Sequence, residues 1–282
     1  VSAEELDIDH LKTWIGQQET VRDQITPQLV KGFRAMLDQA PGDPQPGEEA
    51  PLAIHWCLAP PTVPMSELGP DGHPARGGFL PPVPLPRRMW AGGEIAFGAA
   101  LRVGDPVSRL STIEDVTVKR GRTGALCFVA VRHAYETQRG VALSELHTIV
   151  YREAVAGTPS PSYAKEKPDL ERVVDPTPTL LFRYSALTCN GHRIHYDRPY
   201  AIGEEGYPGL VVHGPLQATL MQYLARDLGQ GVTPKFFSYR GVGTLYDGEP
   251  FRICGRMLDD ATAECWTQAG DGRLAMRATA RW

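Results

Sequence analysis

The chain has 282 residues, of which 42% are hydrophobic and 22% charged, enough apolar material for a sizeable core and enough length for about two domains. Its 29 basic and 33 acidic side chains leave a net charge of −4, which argues against a general nucleic-acid binder but leaves room for a local cationic patch. No run of 18 apolar residues exists to cross a membrane, Val1–Asp9 is acidic rather than a basic-then-apolar leader, and the five cysteines (Cys57, Cys127, Cys189, Cys254, Cys265) lie far apart with no C-x-x-C; a cytoplasmic protein without a disulfide scaffold is expected.

In chain order, Glu4–Gly16 reads as a short helix. Thr26-Pro27 followed by Leu29, Val30, Phe33, Met36 and Leu37 is a stronger one, with threonine as N-cap and proline at the first helical position. The proline-rich stretch 41–88 follows. Nine prolines between Pro60 and Pro86 exclude a central strand or long helix, while Phe79, Leu80, Val83 and Leu85 predict an ordered excursion over the surface. Leu126–Val131, extending to Tyr135, reads as a strand buried on both faces, and Leu143–Tyr151 as a second strand. Prolines 159, 161, 168, 176 and 178 mark a linker over 154–178 between an amino-terminal domain (1–153) and a carboxyl-terminal one (179–282). Beyond it, Leu180–Tyr184 reads as a strand. Gly214-Pro215 opens an apolar helix that ends at Gly229. Lys235–Leu245, Pro250–Leu258, Ala263–Ala269 and Leu274–Trp282 read as an antiparallel meander. A curled sheet wrapped around one apolar helix is the expected α+β architecture; no repeat is visible by exact identity.

The densest polar segment runs from Ser185 to Asp197 and holds Asn190, His192, Arg193, His195 and Asp197 within 13 residues. His192 and His195 form H-x-x-H, but no third ligand is evident, so no metal is expected. There is no G-x-S-x-G, and Gly241-Val-Gly243 lacks the third glycine of a dinucleotide loop. On spacing alone the segment is equally a capped loop in which Asn190 and Asp197 bond the backbone.

Thr188-Cys-Asn-Gly-His-Arg-Ile-His195 resembles, in length and register, the hydratase motif of the MaoC-like enoyl-CoA hydratases, usually Ser-Gly-Asp-x-Asn-Pro-Ile-His. It is more similar to a subgroup with the form T-x-N-x-H-R-I-H-Y-D, which includes hydroxyacyl-thioester dehydratases and mesaconyl-CoA and itaconyl-CoA hydratases. Val212-His213-Gly214, the Arg76–Trp90 stretch, Trp14-Ile-Gly16 and the helix after Pro27 also resemble that subgroup, so the likeness spans essentially the whole chain. The resemblance implies a double hotdog, two hotdog domains in one chain with the motif only in the second.

Where the usual motif has aspartate, this chain has Asn190, and an amide accepts no catalytic proton. The resemblance therefore leaves His195 as acid and base, Asn190 as the group that orients water, and the Gly214 N–H at a helix start as the donor to the thioester oxygen. Arg87, Arg88, Arg193, His192 and His213 are the expected substrate contacts, with Arg193 set against a second carboxylate on the acyl group. Asp197 is a candidate to orient His195, and Trp90 is expected to pack in the core.

The implied activity is hydration of itaconyl-CoA or mesaconyl-CoA to citramalyl-CoA, with no cofactor beyond the coenzyme A of the substrate, in a monomer or homodimer. The rivals are a 3-hydroxyacyl-thioester dehydratase of fatty-acid or polyketide metabolism, which a wholly apolar acyl tunnel would favour; a hotdog thioesterase, against which Asn190 counts; and a non-catalytic acyl-CoA binding module.

Overall fold

The computed structural model describes residues 6–121, 124–153 and 161–282. Five α-helices and ten β-strands follow in the order α1 (Ile8–Lys12), β1 (Gln18–Gln24), α2 (Pro27–Met36), β2 (Arg87–Phe97), β3 (Pro106–Gly121), β4 (Gly124–Thr137), β5 (Gly140–Arg152), β6 (Leu170–Val174), α3 (Pro178–Thr188), α4 (Arg198–Gly203), α5 (Gly214–Leu228), β7 (Phe236–Gly241), β8 (Phe251–Asp259), β9 (Thr262–Ala269) and β10 (Leu274–Arg281).

All ten strands join one antiparallel sheet in the order β1-β3-β4-β5-β2-β7-β10-β9-β8-β6. That order is a palindrome: β1, β3, β4, β5, β2 is answered by β6, β8, β9, β10, β7, and the two fives meet edge to edge where β2 pairs with β7. Each five is a hotdog sheet with helices inserted after its first strand, α2 after β1 and α3 to α5 after β6. Faint traces of the duplication survive in the sequence. Glu19-x-Val21-x-Asp23 leads to Thr26-Pro27 in the first half, and Glu171-x-Val173-x-Asp175 to Thr177-Pro178 in the second.

Those paired Thr-Pro steps correct one sequence expectation. Leu180–Tyr184 is not a strand but part of α3. Thr177 accepts the Leu180 N–H at 3.1 Å as an N-cap, just as Thr26 accepts that of Leu29. Its apolar run packs against α2.

Three other readings change. The four last strands are not a simple meander, because β10 lies between β7 and β9. β4 alternates between fully and partly buried residues rather than being sealed on both faces. β6 lies within the 154–178 stretch, whose first residues, 154–160, fall outside those described, as do the first two residues of the helix expected at Glu4–Gly16.

The apolar helix α5 is as expected. Leu216, Ala218, Met221, Leu224 and Ala225 are sealed against β8, β9 and β10, with Phe237 and Ile253 in the same core. The proline-rich stretch is ordered but does more than cross the surface. Val83 and Leu85 are fully buried with Leu11, Val129 and Tyr151 in a second core, and Arg76 pins the segment by donating to the carbonyls of Val83, Leu85 and Pro86.

Candidate active site

A cavity of about 2390 Å³ runs between the halves, lined from one side by the turn at Gly69, Gly72 and His73 and by Arg88, Trp90 and His147, and from the other by the motif and the start of α5.

The motif segment begins where α3 stops. Cys189 takes the left-handed conformation (φ 49°) that ends the helix, and the chain then turns through Asn190–Gly191 into a single 3-10 turn at Arg193–His195. His195 is 7% exposed. Its Nδ1–H donates to the Val211 carbonyl at 2.7 Å, while the Val211 N–H donates back to the Ile194 carbonyl at 2.9 Å. This clasp fixes the tautomer: with Nδ1 carrying the hydrogen, Nε2 is left as a lone pair, and it has no partner among the described residues. Burial pushes the imidazole down to about 4, although the Val211 bond pulls the other way, so His195 rests neutral and able to accept a proton.

Residues 211–214 do a second job. Three residues beyond the clasp, Gly214 starts α5. Pro215 has no N–H, and the Gly214 N–H has no acceptor among the described residues, so a fifteen-residue helix points an unsatisfied donor and its positive end into the cavity. One short segment therefore sets both a proton acceptor and an oxyanion donor.

Asn190 also lines the cavity; its side-chain Oδ1 accepts the His192 N–H at 3.0 Å. His192 lies edge-on to His195, ring centres 5.4 Å apart, and burial drives it down to about 2.

The structure separates the remaining expected contacts. His213 does not line the cavity: it is fully buried behind His195, stacked at 3.7 Å, and its Nε2 shares a hydrogen bond with Ser185 Oγ at 2.8 Å. Arg87 points away and is ion-paired with Glu205. Arg193 lines the cavity, but each of its three nitrogens is already engaged: Nε and Nη2 bind Asp197 at 3.0 and 2.8 Å, Nη1 binds the Pro70 carbonyl, and the guanidinium lies 4.1 Å over the Tyr200 ring. These bonds tie it to the scaffold. Asp197 in turn caps α4 through the Tyr200 N–H; Val211, not Asp197, orients His195. Arg88 remains. It lines the cavity, forms no ion pair among the described residues, and lies close enough to lower the basicity of His73, His192 and His147.

Several cavity residues carry no sequence signal. Trp90 is not a core residue only: it stands 3.7 Å from the position a Gly214 Cβ would take and lies against His147, ring centres 3.9 Å apart and planes tilted by 31°. Behind it is a polar band of Arg109, Ser111, His133, Glu145 and His147. Glu145 accepts from Tyr239 Oη at 2.8 Å and from Trp56 Nε1 at 3.0 Å. Burial opposes its ionisation, but His55 and the other histidines hold it down to about 2. From the proline-rich stretch, Asp71 and His73 reach His192, and these three side chains each offer one ligand atom within 4.8 Å of the others. Such a trio could in principle hold a metal. However, the His73 and His192 ring centres are only 4.3 Å apart, whereas two imidazoles sharing a tetrahedral ion through edge nitrogens would stand about 5 Å apart.

A ten-stranded sheet folded as two hotdogs, with a histidine clasped beside a helix start, defines a double-hotdog protein of the MaoC-like type. Comparison agrees. A family model described as hydroxyacyl-thioester dehydratase type 2 matches residues 53–247. The chain is 44% identical over 269 residues to a mesaconyl-C(4)-CoA hydratase of Chloroflexus aurantiacus, covering 94% of this chain and 95% of that one. Among solved structures, HtdX of Mycobacterium tuberculosis superimposes with a TM-score of 0.67 at 20% identity, covering 93% and 98% of the two chains. A further M. tuberculosis protein, described as having a double hotdog fold, superimposes with a TM-score of 0.59 at 12% identity, covering 95% and 96%. The chain belongs to the hydroxyacyl-thioester dehydratase type 2 family and, with it, is a hydratase-type enzyme.

Proposed function

We propose that this hydratase adds water to the double bond of a short branched dicarboxylic enoyl-CoA, mesaconyl-CoA or itaconyl-CoA, to give citramalyl-CoA. The observation that carries the reading is the full-length likeness to a mesaconyl-C(4)-CoA hydratase. The clasp that sets His195 beside the Gly214 N–H supports it.

In this reading the thioester oxygen accepts from Gly214, which draws electron density from C3. Asn190 holds the water. With mesaconyl-C(4)-CoA, whose double bond joins C2 and C3, neutral His195 takes a proton from that water through Nε2 as the oxygen bonds to C3, and the same proton returns to C2 as the enolate collapses; itaconyl-CoA, whose double bond joins C3 to a methylene, enters this route only after that bond shifts to C2–C3. Arg88 lines the cavity without an ion pair among the described residues, as do Arg152 and Arg240, and of the expected contacts it, rather than Arg193, is assigned to an anionic group of the substrate, be it the second carboxylate or a coenzyme A phosphate. The two hotdog halves, the second beginning at β6 inside the stretch expected as a linker, would operate in the cytoplasm as a monomer or homodimer, with no cofactor beyond the substrate's own coenzyme A. Among the described residues no helix is long and apolar enough to cross a membrane.

The family description also fits the reverse reaction, dehydration of a 3-hydroxyacyl thioester by the same groups. The polar band beyond Trp90 counts against a long apolar acyl chain there. Purified protein offered mesaconyl-CoA, itaconyl-CoA and crotonyl-CoA decides, followed by loss of enoyl-thioester absorbance. Preference for the dicarboxylic substrates is expected. Activity on crotonyl-CoA alone overturns the dicarboxylate assignment, and silence on all three favours a binding module.

A further inference from the structure

While the enolate exists, it is the only counter-charge the mechanism gives to protonated His195; no anionic side chain among the described residues bonds that imidazole. When His195 takes a proton it becomes a buried cation whose hydrogen-bond acceptor among the described residues is a neutral carbonyl. Asp197 is occupied with Arg193 and the α4 cap, and Asn190 carries no charge. The carboxylate that does reach this cluster comes from the other half of the chain.

The turn at 69–73 is built to deliver it. Asp71 Oδ1 accepts the His73 N–H at 3.0 Å, and the Gly69 N–H donates to the His73 carbonyl at 2.7 Å, so the turn is closed on itself. Asp71 Oδ2 accepts from His73 Nδ1 at 3.2 Å, the arrangement of a base held in one tautomer by an acid, with Nε2 left free. The turn is then fastened to the motif. The Arg193 N–H donates to the Asp71 carbonyl at 2.9 Å and its guanidinium to that of Pro70 at 3.0 Å. Gly72 and Gly191 approach so closely that a Cβ on Gly191 would lie 2.5 Å from the Gly72 oxygen. The result sets the His73 ring 4.3 Å from His192, which in turn meets His195 at 5.4 Å.

Resting on the hydratase reading, we propose that Asp71 and His73 form a second acid–base pair of this cavity, in which His73 shares the proton in transit between water and C2 and Asp71 is its counter-charge. The accounting closes. One O–H bond of water breaks and C3–O forms. The proton is accepted at His195 and shared with His73 while the π pair resides on the enolate. The pair then becomes the C2–H bond with that same proton, leaving both imidazoles neutral and Asp71 still ionised. His73 carries proton charge; Asp71 is a positioning residue acting through it. His73 rests neutral because burial lowers it, against the pull of Asp71, with Arg88 and Arg76 lowering it further.

The test compares wild type with Asp71→Asn and His73→Gln. Asparagine keeps the oxygen that caps the His73 N–H but loses the charge, so the turn survives while the pair does not. Expected for Asp71→Asn is a fall in kcat of about 10- to 100-fold with KM changed less than about threefold. The pH profile should also move to lower pH, because removing the carboxylate makes His73 less basic. A merely structural role would lower amplitude without moving the profile. Should Asp71→Asn fold poorly, His73→Gln with the same kcat loss carries the test. Nitrogen-15 NMR of the histidines reads the pair without turnover: His73 must titrate at lower pH in Asp71→Asn than in wild type. Wild-type kcat and an unmoved profile in the variants, or superimposable His73 titrations, overturn the pair and leave the hydratase reading intact. Wild type inactive on every enoyl thioester overturns the hydratase reading, and with it the proton-sharing role, even where the titration shows the pair.

Discussion

Gly72→Ala tests the fastening of the two halves, and its cost follows from the structure. Gly72 has φ +86°, so any L side chain there incurs about 1–2 kcal/mol of backbone strain. Its Cβ would sit 3.0 Å from the Gly191 carbonyl carbon and far inside contact distance of the oxygen, and that backbone cannot swing aside as a flexible side chain would. Relief requires the turn to lift away, which forfeits the two Arg193 bonds to Asp71 and Pro70, each worth about 1 kcal/mol net. The sum is about 3–4 kcal/mol if the turn detaches fully. Gly77→Ala is the control: φ is +92°, but its Cβ would meet only Pro82, at an ordinary 3.6 Å, so it carries the strain without the collision. Thermal melts of both variants beside wild type, with kcat on the preferred substrate, give the difference. Gly72→Ala should lose about 2 kcal/mol more than Gly77→Ala and also lose activity, because His73 moves with the turn. Equal melting temperatures, or a destabilised Gly72→Ala with wild-type kcat, would refute the close approach or its link to catalysis.

Arg193→Lys should be far from conservative, because an ammonium cannot reproduce the paired bonds to Asp197, the bond to Pro70 and the stack on Tyr200; a drop of about 1–3 kcal/mol in denaturant midpoint analysis is expected, with KM affected no more than kcat. If Arg193 instead bound a substrate carboxylate, KM for dicarboxylic acyl-CoAs alone would rise. Acid should destabilise the fold in a defined window. Burial depresses His195 and His147 to about 4, His133 to about 3 and His192 to about 2, whereas in the unfolded chain each titrates near 6.5. The unfolded state therefore binds more protons below that point, and stability that is full above about pH 6.5 falls as pH drops toward 4. Melting temperatures measured from pH 8 to 4 check this; a flat profile would mean the histidines are solvated.

What could be read from the sequence follows the range of the physics involved. α2 and α5 announce themselves through N-terminal prolines and helical spacing, and β8, β9 and β10 through turn-bounded runs, all local signals. α3 carried the same Thr-Pro start as α2, but its dense LLFRY run imitates a buried strand. β1 is mostly exposed and polar, and β6 is only five residues long and largely exposed, so neither shows the longer apolar run by which strands are recognised. Within the site, His195, Asn190 and Gly214 sit on contiguous or motif-bearing segments. The roles of Arg193 and His213 depend on what faces them, which spacing does not encode. Asp71 and His73 lie more than a hundred residues before the motif in a proline-rich stretch; the packing of Gly72 on Gly191 and the Arg193 bonds to Asp71 and Pro70 bring them to it.

The most direct measurement of the central idea is mass spectrometry of mesaconyl-CoA incubated with wild type and with His195→Gln, which retains a polar side chain but cannot take up the proton. Wild type should add one water per thioester while the variant, folded by circular dichroism, falls by at least about 100-fold. A folded His195→Gln that hydrates at the wild-type rate would contradict the assignment of the reaction to that imidazole.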